Sequence, residues 1–127
     1  MLRIPTADMR ILYVENHPRF SALAARQFLA AHAVTVVPSL ERARAALAGE
    51  DFDLVLLDYD LDDGKGTELV AELARAGRRP LVIAASSHAV GNDALLRAGA
   101  DAVCAKLEFA RIEAVIARLL DERGGAR

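Results

Sequence analysis

Acidic, amide and amine side chains in this chain fall at the ends of short apolar runs, and that placement decides what chemistry they share. Glu15 and Asn16 close the run Arg10-Ile11-Leu12-Tyr13-Val14, and Asp58 closes Asp53-Leu54-Val55-Leu56-Leu57. Ala84 to Ser87 close a run that begins at Leu81, and Lys106 follows the run from Ala102 to Ala105. Taken alone, each is an ordinary strand-end polar residue of the kind that caps turns. Taken together they amount to two carboxylates, an amide, hydroxyls and one ammonium gathered from four run ends. Strand ends so placed would surround a common crevice, and the joint pattern is far less expected by chance than any one of its members. Asp60 adds a further carboxylate two residues past Asp58, against the plain reading of a solvated loop acid.

For these residues to meet, the apolar runs must be parallel strands whose carboxyl ends share one edge. From Met9 onward, short runs rich in branched residues alternate with longer segments of helical period, the pattern of a parallel sheet covered on both faces. Strands are expected at 10–14, 34–37, 53–58, 81–85 and 102–105, with the continuous apolar run at 53–58 in the centre. Pro18 suits a first helical turn, and Phe20, Leu23, Ala24, Gln27, Phe28 and Ala31 follow at i, i+3, i+4 spacing. Ser39 caps a second helix from Leu40 to Ala48, with Ala43, Ala46 and Leu47 on its apolar face and Gly49 at its end. A loop is expected from Tyr59 to Gly66, a third helix from Thr67 to Ala76 and a fourth from Asn92 to Ala98. The last helix carries Ile112, Val115, Ile116, Leu119 and Leu120 as one stripe. Ligands of an open doubly wound sheet gather at the carboxyl ends of its strands, where strand order reverses.

Composition narrows the function. A chain of 127 residues has the size of one domain, and 54% apolar content with 5% aromatics and no Trp calls for a core of Ala, Leu, Val and Ile. A formal charge of −2 and the lack of a long Lys/Arg run argue against direct nucleic-acid binding. Arg19, Arg26, Arg42 and Arg44 read as solvated helix faces. The N-terminus has no apolar signal region, and no apolar stretch approaches the ~20 residues that cross a bilayer, so no membrane partner is expected. Cys104 has no second cysteine to pair with and reads as a buried thiol in a reducing compartment. The expectation is a soluble, cytoplasmic protein with a domain over 9–122, a flexible segment at 1–8 and a flexible tail at 123–127.

The segment Phe52-Asp53-Leu54-Val55-Leu56-Leu57-Asp58, followed by Gly66, resembles the phosphoacceptor strand and loop of the receiver domains of two-component response regulators. Val14-Glu15-Asn16-His17-Pro18 stands where that family has its acidic pair. Arg97-Ala98-Gly99-Ala100-Asp101-Ala102, leading to Lys106, is similar to the segment that delivers its lysine, and the resemblance runs from Met9 to about Glu122. It implies a CheY-like, flavodoxin-like α/β fold: a doubly wound five-stranded parallel sheet of order 2-1-3-4-5 with helices on both faces. It implies phosphoryl transfer from a histidine kinase or histidine phosphotransfer protein to Asp58, with Lys106 contacting the phosphoryl oxygens. It also implies Mg²⁺ held by Glu15, Asn16, Asp58 and the backbone carbonyl of Asp60. Such a protein is a phosphoacceptor signalling domain rather than an enzyme, apart from self-catalysed phosphorylation and dephosphorylation. Its signal passes by docking a downstream effector protein. The physics agrees, because a carboxylate that attacks a like-charged phosphoryl group needs a cation and an ammonium to neutralise it.

The chain departs from that pattern at several positions. Asn16 replaces an aspartate, and a neutral amide oxygen is a weaker ligand for Mg²⁺ than a carboxylate. The Asp60 side chain is a candidate to restore the lost charge, directly or through water, or to orient water for dephosphorylation. The family's hydroxyl after strand four is missing: counting back from Gly99 and Lys106 puts Ala84 there, and counting forward from Pro80 puts Ala85 there. Ser86 substitutes only if the loop shifts register. Val103 stands at the family's aromatic switch position, and Leu107 replaces the proline that follows the lysine. Two readings stay open, a stand-alone receiver phosphorylated slowly on Asp58 and a degenerate receiver that works as a phosphorylation-independent interaction module. Helix one and the surface of helix four, strand five and helix five are docking faces by family analogy, and a homodimer is left open.

Other motifs fit less well. Asp58-Tyr59-Asp60 also resembles the nucleophile motif of haloacid-dehalogenase-type phosphatases, but the chain is short, places it on strand three and lacks a later paired acidic motif. Asp58-x-Asp60-x-Asp62 fails as a calcium loop, which needs glycine at position 6 and glutamate at position 12, here Asp63 and Leu69. His17 and His88 read as loop residues flanking the site.

Overall fold

Residues alternate faces along a strand, and here both faces of the sheet meet helices, so runs of uninterrupted leucine, valine and isoleucine become its central strands. The computed structural model describes residues 8–77 and 79–125. In chain order these form β1 (Arg10–Val14), α1 (Pro18–Phe28), β2 (Ala33–Val37), α2 (Leu40–Gly49) and β3 (Leu54–Leu57). A hairpin of β4 (Asp60–Leu61) and β5 (Gly64–Lys65) leads into α3 (Gly66–Ala74), β6 (Leu81–Ala84), α4 (Ala89–Ala98) and β7 (Ala102–Val103). A 3₁₀ segment (Lys106–Arg111) precedes α5 (Ile112–Gly125). The main sheet is parallel with order β2-β1-β3-β6-β7, which is the expected 2-1-3-4-5 once the small hairpin is set aside.

Strand parity divides the core in two. Ile11, Tyr13, Leu54, Leu56, Leu81, Ile83 and Ala85 face α1 and α5, where they meet Ala24, Ile112, Val115, Ile116 and Leu119. Leu12, Val14, Val55, Leu57, Val82 and Ala84 face α2, α3 and α4, where they meet Leu40, Ala43, Leu69, Val70 and Leu95. All four residues of β3 are fully buried, which accounts for that segment's unbroken apolar run. Four of the six aromatic rings, counted from four Phe and two Tyr, gather on the α1/α5 side. Phe109 stacks on Tyr13 at 5.6 Å and meets Phe20 and Phe28 edge-on at 6.0 and 6.2 Å. Cys104 is buried, and burial pushes its thiol up to about 11, which keeps it unreactive.

Several element limits differ from the expected ones, each for a local reason. Helix α1 stops at Phe28, because Leu29 turns into the core and its N–H closes on Ala25. Leu23, expected on the apolar face, is 48% exposed, so the buried stripe is the narrower Phe20-Ala24-Phe28 row. Helix α4 begins a turn before Asn92, whose buried amide bonds back to both the N–H and the C=O of Ser86. Helix α3 covers 66–74 rather than 67–76, and the acidic loop before it contains the β4–β5 hairpin. Pairing in β7 ends at Val103, yet the Cys104 N–H still donates to the Ala84 carbonyl at 2.8 Å and the Lys106 N–H to the Ser86 carbonyl at 3.1 Å. Helix α5 runs on to Gly125, into the segment read as a tail. Of the segment 1–8, only Asp8 is described, and its N–H donates to the Ala31 carbonyl at 2.9 Å. Residues 1–7 and 126–127 lie outside the described residues.

Candidate functional site

Asp58 is the first residue past β3, and its N–H donates to the Val14 carbonyl at 3.0 Å, which extends the β1–β3 ladder by one step. In the same way the Glu15 N–H donates to the Val37 carbonyl at 2.9 Å. Parity then turns Glu15 and Asp58 to the side of Tyr13 and Leu56, toward α1 and α5. The β3–β6 register pairs Leu57 with Ala84, so Ala85 is the neighbour of Asp58 on that face. Forward counting from Pro80 is therefore the correct one of the two counts, and the residue beside Asp58 is an alanine with no hydroxyl. Ser86 does not replace it. Its Oγ accepts the His88 N–H at 3.2 Å, at the start of α4.

Lys106 arrives from the opposite direction on the extended β7 ladder. Its Nζ lies 2.9 Å from Glu15 Oε1, 3.7 Å from Asp58 Oδ2 and 3.4 Å from His17 Nδ1. The Phe20 ring lies beneath it, 5.1 Å from the ring centre. Glu15 is buried, and its second oxygen accepts both the His17 backbone N–H at 3.0 Å and the His17 ring at 2.7 Å. A carboxylate removed from water in this way needs a partner charge, and Lys106 supplies it. Asp58 Oδ1 accepts the Tyr59 N–H at 2.8 Å. Burial and then the Glu15 charge push the Asp58 carboxyl above its ordinary value, and Lys106 and the Tyr59 N–H only partly offset them. The site is a pair of carboxylates held close together by one ammonium.

The remaining acids disperse. Asp60 is exposed, and its side chain pairs with Lys65 across the hairpin. Asp62 accepts the Asn16 amide N–H at 3.2 Å. Asp63 caps α2 by accepting the N–H groups of Leu40 and Glu41 at 2.8 and 3.0 Å, which lowers its carboxyl. Glu15, Asp58 and Lys106 are thus brought together, Asn16 lies beside them with its amide nitrogen turned to Asp62, and the Asp60 side chain points to Lys65. Sequence reasoning had His17 only as a loop residue flanking the site, Phe20 only as part of the helix-one stripe and Asp62 only as part of a failed calcium loop. The first had a usable signal, since it follows the buried Glu15 by two residues; the other two depend on contacts across the fold.

A divalent cation fits these residues. One donor atom each from Glu15, His17 and Asp58 lie within 4.8 Å of one another. Asn16 Oδ1 is buried with no hydrogen-bond partner, as an oxygen reserved for a ligand would be. A hollow lined by Phe52, Asp53, Leu73, Arg79 and Arg123 opens at the amino-terminal edge of the strands, away from Asp58 and on the wrong side of a parallel sheet for such chemistry. Among the described residues no helix is long and apolar enough to cross a membrane.

Comparison with known proteins agrees with this geometry. A family profile described as response regulator receiver domain matches residues 11–117. The transcriptional regulatory protein TcrA of Mycobacterium tuberculosis is 40% identical over 70 residues, which are 54% of this chain and 28% of TcrA. The match thus covers little more than a quarter of that relative's length. A CheY-like response regulator receiver domain protein from Methanospirillum hungatei superposes with a TM-score of 0.79 at 25% identity, covering 95% of this chain and all of that one. The receiver domain of the Francisella response regulator 1452 superposes with a TM-score of 0.74 at 15% identity, over 89% of this chain and 99% of the other, a likeness of fold.

Proposed function

The chain belongs to the response regulator receiver domain family of two-component signalling, and from that premise we propose that Asp58 is its phosphoacceptor. The observation that carries this reading is the Lys106 ammonium, held 2.9 Å from Glu15 and 3.7 Å from Asp58 at the carboxyl edge of the central strands. In the transfer, an Asp58 carboxylate oxygen forms a bond to phosphorus while the donor's phosphorus–nitrogen bond breaks. Lys106 moves from Glu15 toward the incoming phosphoryl oxygens and neutralises part of their charge. Glu15, Asn16, Asp58 and the Asp60 carbonyl are the residues that would hold Mg²⁺, which when bound supplies further neutralisation of the phosphoryl oxygens. The Asp60 side chain, paired with Lys65, is available to that metal only after the ion pair opens.

The donor is a histidine kinase or histidine phosphotransfer protein of the cytoplasm, and the output is docking of a downstream effector protein. Exposed Val90 on α4 and Leu107 after β7 support the α4–β7–α5 side as the docking face. The test is incubation with Mg²⁺ and a small phosphodonor, read by intact mass and amide NMR for wild type, Asp58→Ala and Asp60→Asn. Wild type and Asp60→Asn gain one phosphoryl mass, with shifts centred on residues 15–17, 58–60 and 106, and Asp58→Ala gains none. No mass gain by wild type at millimolar metal and donor would replace this reading with phosphorylation-independent binding.

A further inference from the structure

We infer that His17 is a nitrogen ligand of the cation site, and that the site takes an imidazole-binding divalent transition-metal ion in preference to magnesium. The inference takes the position of the metal from the reading above but does not depend on phosphorylation. The Lys106 ammonium lies 2.9 Å from Glu15, 3.7 Å from Asp58 and 3.4 Å from His17 Nδ1, a nitrogen that sits 2.7 Å from Glu15 Oε2 and gives up that hydrogen bond when it ligates an ion. One donor atom from each of the same three lie within 4.8 Å of one another, so a small movement of the exposed His17 ring and of Asp58 brings them onto a single ion. Glu15 cannot swing away, because it is buried and one of its oxygens is fixed by the His17 backbone N–H at 3.0 Å.

Asn16, between Glu15 and His17 in the chain, offers a fourth donor. Asp62 takes the Asn16 amide nitrogen, and the amide oxygen is left buried without a partner. The resulting set is two carboxylates, one amide oxygen and one imidazole. Magnesium favours an all-oxygen shell rich in carboxylate and water, whereas imidazole suits zinc, cobalt, nickel and copper. Asn16 in place of a carboxylate lowers the attraction for the hard ion, and His17 raises it for the softer ones. Lys106 competes for the same place and must give way when the metal enters.

The test is calorimetric titration with Co²⁺ and, separately, Mg²⁺, with no phosphodonor present, alongside the visible spectrum of the cobalt form. His17→Gln is expected to weaken Co²⁺ binding by about tenfold or more and to alter the cobalt spectrum, while Mg²⁺ binding changes by less than about threefold. His88→Gln, an exposed histidine at the start of α4, leaves both unchanged, and Lys106→Met tightens both by removing the competing ammonium. Amide NMR of each variant verifies the fold. The inference is overturned if His17→Gln binds Co²⁺ as wild type does, or if His88→Gln is the variant that loses it. Cobalt binding through His17 without any phosphorylation of Asp58 would uphold this inference and sink the phosphoacceptor reading, and phosphorylation with no effect of His17→Gln on Co²⁺ would do the reverse.

Discussion

Asp58 sits where its charge is disfavoured, a cost that the proposed phosphoacceptor role would account for. Burial and Glu15 raise its carboxyl above the ordinary range, so the native state binds its proton at a pH where the unfolded chain has released it. Stability therefore falls as pH rises through the window between the ordinary and the raised value, and the penalty is complete above that window and absent below about pH 4. Asp58→Asn removes the penalty and keeps the shape. It should stabilise the protein at pH 7 by about 1 kcal/mol, or roughly 4 °C in Tm, with the gain shrinking toward zero near pH 4. Differential scanning calorimetry of both proteins at the two pH values measures this, and an equal gain at both would show that burial of the charge is not its source. Ala85 belongs to the same scale. With no hydroxyl beside Asp58, nothing at that position could close on a phosphoryl group, which in the proposed transfer leaves that part to Lys106.

At the scale of elements, the hairpin after β3 is what holds the site loop in place. Asp62 reaches back to Asn16 and Asp63 caps α2, while Asp60 pairs with Lys65 within the hairpin, so of three acids that look alike in sequence two fasten the hairpin to other elements and one closes it on itself. The hairpin returns to Asp58 at Gly66, whose N–H donates to the Tyr59 carbonyl at 2.7 Å. A Cβ on Gly66 would stand 2.2 Å from the Asp58 carbonyl oxygen, with Leu57 and Leu95 next to it at 3.1 and 3.2 Å. No side chain fits without moving the backbone of the site. Gly66→Ala should cost about 2 kcal/mol or more in a thermal melt and slow the phosphorylation of Asp58. A melt like that of wild type would mean that the loop is looser than its packing indicates.

For the whole molecule, β1, β3 and β6 are covered on both faces, whereas β2 lies at one edge with a half-exposed pattern and β7 pairs over two residues at the other. Amide exchange should be slowest in the three central strands, at the level of global unfolding, and faster in β7 by about tenfold or more. Equal protection of β7 and β3 would contradict that order. The central strands were legible in the residues themselves, because a run such as Leu54-Val55-Leu56-Leu57 is stable only with helices on both sides. The helices were legible from Pro18, Ser39, Gly99 and the Ile112-to-Leu120 stripe. Glu15, Asp58 and Lys106 could be grouped from sequence because parallel strands bring all carboxyl ends to one edge, which requires topology but no side-chain detail. The choice of Ala85 over Ala84 beside Asp58, the division of Asp60, Asp62 and Asp63 among three partners, and the closeness of His17 to Lys106 were decided by tertiary structure alone. Each depends on strand register or on a contact between residues far apart in the chain, and neither leaves a periodic trace in the sequence.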